Sequence, residues 1–290
     1  MIKARPITSL DLPELQPYRT MRRQFEHRQQ GIFVAEGEKV VRRLLESNFS
    51  VVSVLLPEKW LRELEPLLQA RREEIRVFVA EKKLLETLTG FSMYQGLLAV
   101  GKVPPPAALE EILGRSARPH LLAAVDGLSS AENIGSLVRN CVAFNVQALV
   151  VGETSSSPYL RRAVRSSMGA IFQLPVVETG SLVESLLQLR ARGIRCLAAH
   201  PHADGRTLPQ ANLAGDCCIV FGSEGYGLSA ATLAACDDAA AVLMPPTVDS
   251  LNVGSAAAVF LYEANRQRRR FESPKSEVRS PNEGRNPKTD

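Results

Sequence analysis

Along the chain, short uninterrupted apolar runs alternate with longer stretches in which apolar residues return every three or four positions. The first pattern is that of a buried strand, the second that of an amphipathic helix. IFVAEG at 32–37, VVSVLL at 51–56, IRVFVA at 75–80 and GLLAVG at 96–101 predict strands, and EKVVRRLLES, EKWLRELEPLLQA and EKKLLETL between them predict helices. The first hundred residues therefore make a small α/β unit. A second series starts near residue 120. It predicts strands over Leu121–Val125, Gln147–Val151, Phe172–Val177 and Ile194–Ala199, and two more that end at Phe221 and near Met244. Its helices begin at about Asn133, span Leu182–Arg192 and begin again at Asn252. Strands that alternate with helices pair in parallel through crossovers, and the helices cover the sheet. Between the two series, Pro104-Pro105-Pro106 stiffens a connector. The pattern divides the chain into a domain at 1–102, a linker at 103–119, a second domain at 120–268 and a polar tail at 269–290 that is expected to be disordered.

Composition narrows the class. With 290 residues, 45% apolar and 23% charged, the chain can bury a core in each of two domains. No run approaches the roughly 18 apolar residues of a membrane helix. The charged N-terminus lacks the apolar centre of a secretory signal, so a cytoplasmic location is expected. Cys141, Cys196, Cys217, Cys218 and Cys236 are odd in number, sit in apolar runs and lack paired ligand spacing, which predicts reduced core thiols and no zinc site. The net charge of +4 is carried entirely from Ala264 onward, where eight Lys/Arg face four acids. Any nucleic-acid surface must then come from local clusters. RTMRRQFEHR at 19–28 is one, with Arg19, Arg22, Arg23 and Arg28 on a predicted helix. It is either a solvated face or an arm that contacts phosphates.

Candidate chemistry gathers at three strand-to-loop corners: LLAAVDG leading to NIGSLVRN, CCIVFGSEGYGLS, and VLMPPTVDSLNVGSAAAVFLY. Glycines at such corners let backbone groups approach a ligand without a Cβ in the way. Ser250 or Asn252 can cap the last helix, whose small residues Gly254 to Ala258 admit close packing. A dinucleotide-binding fingerprint does not fit. Gly222, Gly225 and Gly227 give G-x-x-G-x-G, near the end of the domain instead of after its first strand.

In their order and spacing, NIGSLVRN, FGSEGYGLS and MPPTVDSLNVGSAAA resemble the three motifs of the SpoU, or TrmH, family of RNA 2′-O-ribose methyltransferases, over Leu121 to about Asn265. FVAEGEKVVRRLLES with YQGLLAV looks like the ribosomal-protein-L30e-like α/β domain that binds RNA substrate in many SpoU relatives. The resemblance implies a C-terminal trefoil-knotted SPOUT domain after that α/β domain, and a homodimer joined through the knotted domain. It implies S-adenosylmethionine held mainly by backbone groups at Ala199, Gly222, Met244, Leu251 and Asn252, with structured RNA as substrate, 23S ribosomal RNA ahead of tRNA. A catalytically inactive RNA-binding homologue is the alternative. The implied catalytic set is Asn133, Arg139, Glu224, Ser250 and Asn252, with Arg139 at the ribose and its phosphate. A guanidinium stays protonated, so Arg139 is expected to fix phosphate and stabilise charge on the oxygen; the bland alternative is a pair with a surface acid. Glu224 is expected to accept from loop amides or to orient Arg139. Arg161, Arg162 and Arg165 fall in a stretch that resembles the family's RNA-facing segment. Because the cofactor carries an already activated methyl, no metal is implied. The chain departs from the family pattern at Ser130-Ala131, where relatives often have Asp-Pro, at Asn140, where Thr is common, and in a loop at 245–251 that is about two residues shorter.

Overall fold

The computed structural model describes residues 3–89, 96–201 and 206–272; of the tail expected to be disordered from 269, residues 269–272 instead continue the last helix, and the rest, with the Tyr94-Gln95 start of YQGLLAV, lies outside the described residues. The N-terminal domain contains strands β1 (Ala4–Pro6), β2 (Ile32–Glu36), β3 (Val51–Leu56), β4 (Arg76–Val79) and β5 (Leu98–Lys102), in the order β1-β4-β3-β5-β2. β1, β4 and β3 are parallel, whereas β5 runs antiparallel to both β3 and β2. The three predicted helices form at Glu38–Glu46, Glu58–Gln69 and Lys82–Thr89. β1 was not legible, because three residues ending in proline carry no alternation; at the sheet edge a proline is tolerated. The helix expected through 19–28 is broken into Gln16–Arg19 and Gln24–Gln29. Between the two, Thr20 bonds both the Gln16 carbonyl and buried His27, at 3.0 and 3.1 Å, and this fold-back lets Tyr18 and Met21 enter the core.

The second domain is a six-stranded sheet in which every neighbouring pair is parallel. Its strands are β6 (Leu121–Val125), β7 (Ala148–Val151), β8 (Val176–Glu178), β9 (Arg195–Ala199), β10 (Cys217–Phe221) and β11 (Asp238–Ala240), in the order β11-β9-β10-β6-β7-β8. The chain moves outward through β6, β7 and β8, then crosses back to lay down β9 beyond β10. That reversal opens a crevice at the carboxyl ends of the strands, where α/β sheets place ligands.

Three expectations change. Phe172 lies in a 3-10 turn at Ala170–Gln173 and the strand starts only at Val176, because Gly169 is left-handed (φ 79°) and Pro175 cannot donate to a ladder. The last strand is β11, several residues before Met244, so the chain from Val242 to Leu251 leaves the sheet, and Val242, Met244 and Asp249 to Leu251 line a cleft. The expected linker contains a helix, Leu109–Arg115, whose Leu109 and Leu113 are buried with Leu122 and Leu186, so only about 103–108 connects the domains.

A single apolar cluster runs through both domains, joining Phe33, Leu44 and Leu56 to Leu121, Ile134 and Phe221. At the junction Phe33 packs on Tyr159 and Phe172, with ring centroids 6.1 and 5.6 Å apart. The buried Glu36 carboxylate accepts from Arg161, and from Arg165 at 2.8 Å, while Arg43 donates to the Met168 carbonyl at 2.7 Å. Arg161 and Arg165 belong to the Arg161–Ser166 helix, which lies so close to the Ala131–Ala143 helix that a Cβ on Gly135 would overlap Ser166 and the Ala163 carbonyl.

Candidate active site

A cleft of about 310 Å³ lies at the carboxyl ends of β9, β10 and β11. Its floor is apolar and small-residued, with Ala240, Val253, Ala256 and Phe260, and its walls are the three loops after those strands. Ala199, Gly222, Met244 and Leu251 all line it, as do Glu224 and Ser250. The loop after β10 is a tight turn held by mutual backbone bonds between Ser223 and Gly227 at 2.9 and 3.0 Å, with Gly227 at φ 67°. The amide of Tyr226 is taken by Ser223 Oγ at 3.2 Å. The loop-amide role expected of Glu224 therefore belongs to Ser223, and Glu224 is exposed at the rim. Gly222 is small for a different reason than expected. A Cβ there would fall on the backbone of Gly227 and Leu228, so the residue is required by the turn closing on itself.

The first and third motifs meet through two side-chain hydrogen bonds, one at Asn252 and one at Asn140. Asn252 Oδ1 accepts from the Gly254 amide at 2.9 Å, which caps the Val253–Glu272 helix, and its Nδ2 donates to Asn133 Oδ1 at 3.0 Å. A backbone N–H can only donate, so the oxygen of Asn252 must face Gly254 and its nitrogen must face Asn133. This leaves the amide N–H groups of Asn133 without a partner among the described residues, next to the cleft loop that carries Ser250 and Leu251. Ser250 does not cap the helix; it faces the cleft. Two of the three departures from the family pattern are used structurally. Ser130 caps the Ala131–Ala143 helix by accepting from the Asn133 amide, and Asn140 donates to the Gly254 carbonyl at 2.6 Å, tying the two motif helices together.

Arg139 lies six residues beyond Asn133 on that helix, about 9 Å along the axis. It is exposed and makes no hydrogen bond or ion pair with the described residues, so the expected alternative of a surface acid pair is not what the structure contains. The other arginines are more engaged. Arg161 is 14% exposed and committed to Glu36, which replaces the phosphate-facing position expected of it. Arg165 shares that carboxylate from a more exposed position, and Arg162 reaches Glu132 at 3.3 Å. In the N-terminal arm Arg23 pairs with Glu26 at 3.0 Å and Arg28 faces Glu178 of the second domain at 3.7 Å, while Arg22 is exposed. The cysteines are all free, four of them buried. Burial pushes the Cys236 thiol up to about 12 and holds those of Cys141 and Cys217 above their ordinary value, and a hydrogen bond with Cys196, with burial second, raises that of Cys218, so none of these four is a ready nucleophile. Among the described residues no group of three or more His, Cys, Asp or Glu could hold a metal ion, and no helix is long and apolar enough to cross a membrane.

The parallel sheet, with its cleft at the carboxyl edge and its apolar, backbone-lined walls, defines an α/β protein built to hold a nucleoside-sized ligand. Comparison with known proteins makes this specific. The sequence model of the SpoU rRNA methylase family matches residues 120–262. An uncharacterized tRNA/rRNA methyltransferase of Mycobacterium tuberculosis is 33% identical over 240 residues, 81% of either chain. The 23S rRNA (guanosine-2′-O-)-methyltransferase RlmB of Shewanella oneidensis is 30% identical over 71% of this chain and 85% of its own. Among solved structures, the SpoU methyltransferase AviRb from Streptomyces viridochromogenes in complex with AdoMet superposes with a TM-score of 0.77 at 26% identity, over 89% of this chain and 98% of that one. The chain belongs to the SpoU rRNA methylase family.

Proposed function

We propose that the protein transfers a methyl group from S-adenosylmethionine to a ribose 2′-hydroxyl of structured RNA in the cytoplasm, with 23S ribosomal RNA as the substrate. The observation that carries this reading is the Asn252–Asn133 bond, which joins the cleft loop to the helix that presents Arg139 without a partner among the described residues. The cleft fits the cofactor's chemistry: small apolar side chains leave room for a flat ring, strand-end backbone offers hydrogen bonds, and the carboxylates of Glu224 and Asp249 at its rim suit a ribose diol and a sulfonium charge. Residues 199, 222, 244 and 251 would hold it there. Bound in that cleft, the cofactor supplies an activated methyl.

The work left to the chain is positioning and charge. The Asn133 amide, fixed in orientation by Asn252, donates toward the ribose. Arg139 keeps its proton, grips the phosphate beside the reacting nucleotide and stabilises negative charge as the 2′-oxygen attacks; the hydroxyl proton leaves to that phosphate or to water. Arg22, Arg23, Arg28 and Arg162 extend the phosphate contacts. In the family's arrangement the second domain is threaded as a trefoil knot and pairs with a second copy. Exposed Val259 and Tyr262 on the last helix and Leu243 beside the cleft give that pairing an apolar face here. Sedimentation of the full chain should show a dimer, and a stable monomer would overturn that part.

The deciding experiment maps ribose methylation in RNA from cells with and without the gene. Loss of one mark in 23S ribosomal RNA is expected. Loss of a tRNA mark would redirect the substrate, and an unchanged map would sink the proposal. Calorimetric titration with S-adenosylmethionine separates an enzyme from an inactive homologue, for which no micromolar binding is expected.

A further inference from the structure

A second cavity, of about 450 Å³, opens at the carboxyl edge of the parallel sheet on the β7–β8 side, where the loops after those strands meet β2, the proline connector and the N-terminal arm. It shares no residue with the cofactor cleft. Its walls are apolar, formed by Ile32, Phe33, Leu160 and Pro104 to Pro106. Its polar groups come from both domains; of these, His27 is bonded to Thr20 and Arg161 to Glu36, which leaves Tyr159, Glu178, Ser157 and Arg28. The Tyr159 ring packs against Phe33 and Phe49, with centroids 6.1 and 6.2 Å away, and its hydroxyl has no hydrogen-bond partner among the described residues. Burial, and secondly the nearby Glu178 carboxylate, raise its pKa well above the ordinary phenol value, so it remains a hydrogen-bond donor. Glu178 accepts from Ser157 at 2.7 Å and faces Arg28 at 3.7 Å, with lone pairs to spare. Arg28 stands at the mouth, its side chain 73% exposed.

Flat apolar walls, an unused donor and a neighbouring carboxylate acceptor are the complement of a base edge that presents one acceptor beside two donors, as guanine does with O6, N1–H and the N2 amine. An unpaired base can enter such a site while a paired one cannot. We propose that this cavity captures one unpaired guanine of the RNA substrate, with Arg28 on its phosphate. The proposal rests on the reading of the chain as an RNA methyltransferase and adds a recognition site apart from the methyl-transfer centre.

The test uses the full chain and fluorescence anisotropy with labelled uridine hexamers that carry a single central guanine, adenine, cytosine or inosine. The guanine hexamer is expected to bind tightest, and inosine, which lacks the N2 amine, several-fold weaker. Tyr159→Phe, which keeps the ring, should weaken the guanine hexamer about threefold to tenfold, and Glu178→Gln should remove the guanine preference. Neither variant should change the melting temperature or the affinity for S-adenosylmethionine. Equal binding of the four hexamers, or a guanine preference that survives both substitutions, would overturn the proposal. Free 5′-GMP binding as tightly as the hexamer would also overturn it, because the occupant would then be a mononucleotide. Guanine selectivity in a protein that does not bind S-adenosylmethionine would support the pocket and count against the methyltransferase reading alone.

Discussion

On the proposed function Arg139 serves the ribose and its phosphate whereas Gly222 shapes the cofactor loop, so their substitutions should separate. Arg139 is exposed with no partner among the described residues, so Arg139→Ala should leave the melting temperature and the cofactor affinity within a few-fold of the parent. Turnover should fall by at least about a hundredfold, the usual loss when a donor to developing charge is removed. A variant that lost cofactor binding together with activity would place the arginine at the cofactor instead. Gly222→Val should lose cofactor binding, but through the loop: the new side chain cannot coexist with the backbone of Gly227 and Leu228, so the turn that walls the cleft must open. Denaturation should reveal this as lost stability. Unchanged stability with lost binding would mean that the side chain merely projects into the cleft.

Helix ends do much of the positioning. The Val253–Glu272 helix starts with the Gly254 amide bonded to Asn252, and the same side chain reaches across to Asn133 on the Ala131–Ala143 helix. Asn252→Ala should therefore cost about 1 kcal/mol of stability from the lost cap and release the Asn133 amide to rotate. The expected result is a kcat loss larger than the change in cofactor affinity. Asn252→Asp keeps the oxygen that caps but cannot donate to Asn133, so it should restore stability without restoring kcat. Equal recovery of both would show that the cap alone matters. Asn140 and Ser130 support the same junction, which is how a chain that departs from the family pattern at these positions still brings the two motif helices together.

At the scale of the molecule, the domains are joined by a buried charge cluster as well as an apolar core. Glu36 is 7% exposed and is shared by Arg161 and Arg165. Removing one partner of a buried pair strands the others, so Glu36→Ala should destabilise by about 3 kcal/mol in urea titration; a loss under about 1 kcal/mol would mark the pair as a surface bridge. On the proposed function the arginine arm would act on RNA at long range. Replacing Arg22, Arg23 and Arg28 together should weaken RNA binding irrespective of sequence and lower its salt slope by up to roughly 0.9 per lost phosphate contact. Because Arg23 and Arg28 already have acidic partners, the drop should fall short of three full contacts. An unchanged slope would return the arm to an ordinary solvated face.

Periodicity and punctuation determined the element types. Apolar runs, helical spacing and corner residues act over a few positions, so β2 to β10 and the helices at 38, 58, 131, 182 and 253 were legible to within a few residues; of the three marked corners, those at Gly222 and at Met244 to Leu251 wall the cleft, while the Asn133 corner lines none of it. Short elements such as β1, β11 and the Ala230–Ala235 helix carry too few residues for a period to register. Only the folded chain decided the pairings between distant segments. Asn252 and Asn133 are 119 residues apart, Glu36 and Arg161 125 apart, and nothing local at either end marks them as partners. A carboxylate at a strand end reads as a turn residue, and an arginine in a basic stretch reads as a phosphate ligand, until packing removes both from water and leaves each as the other's best partner.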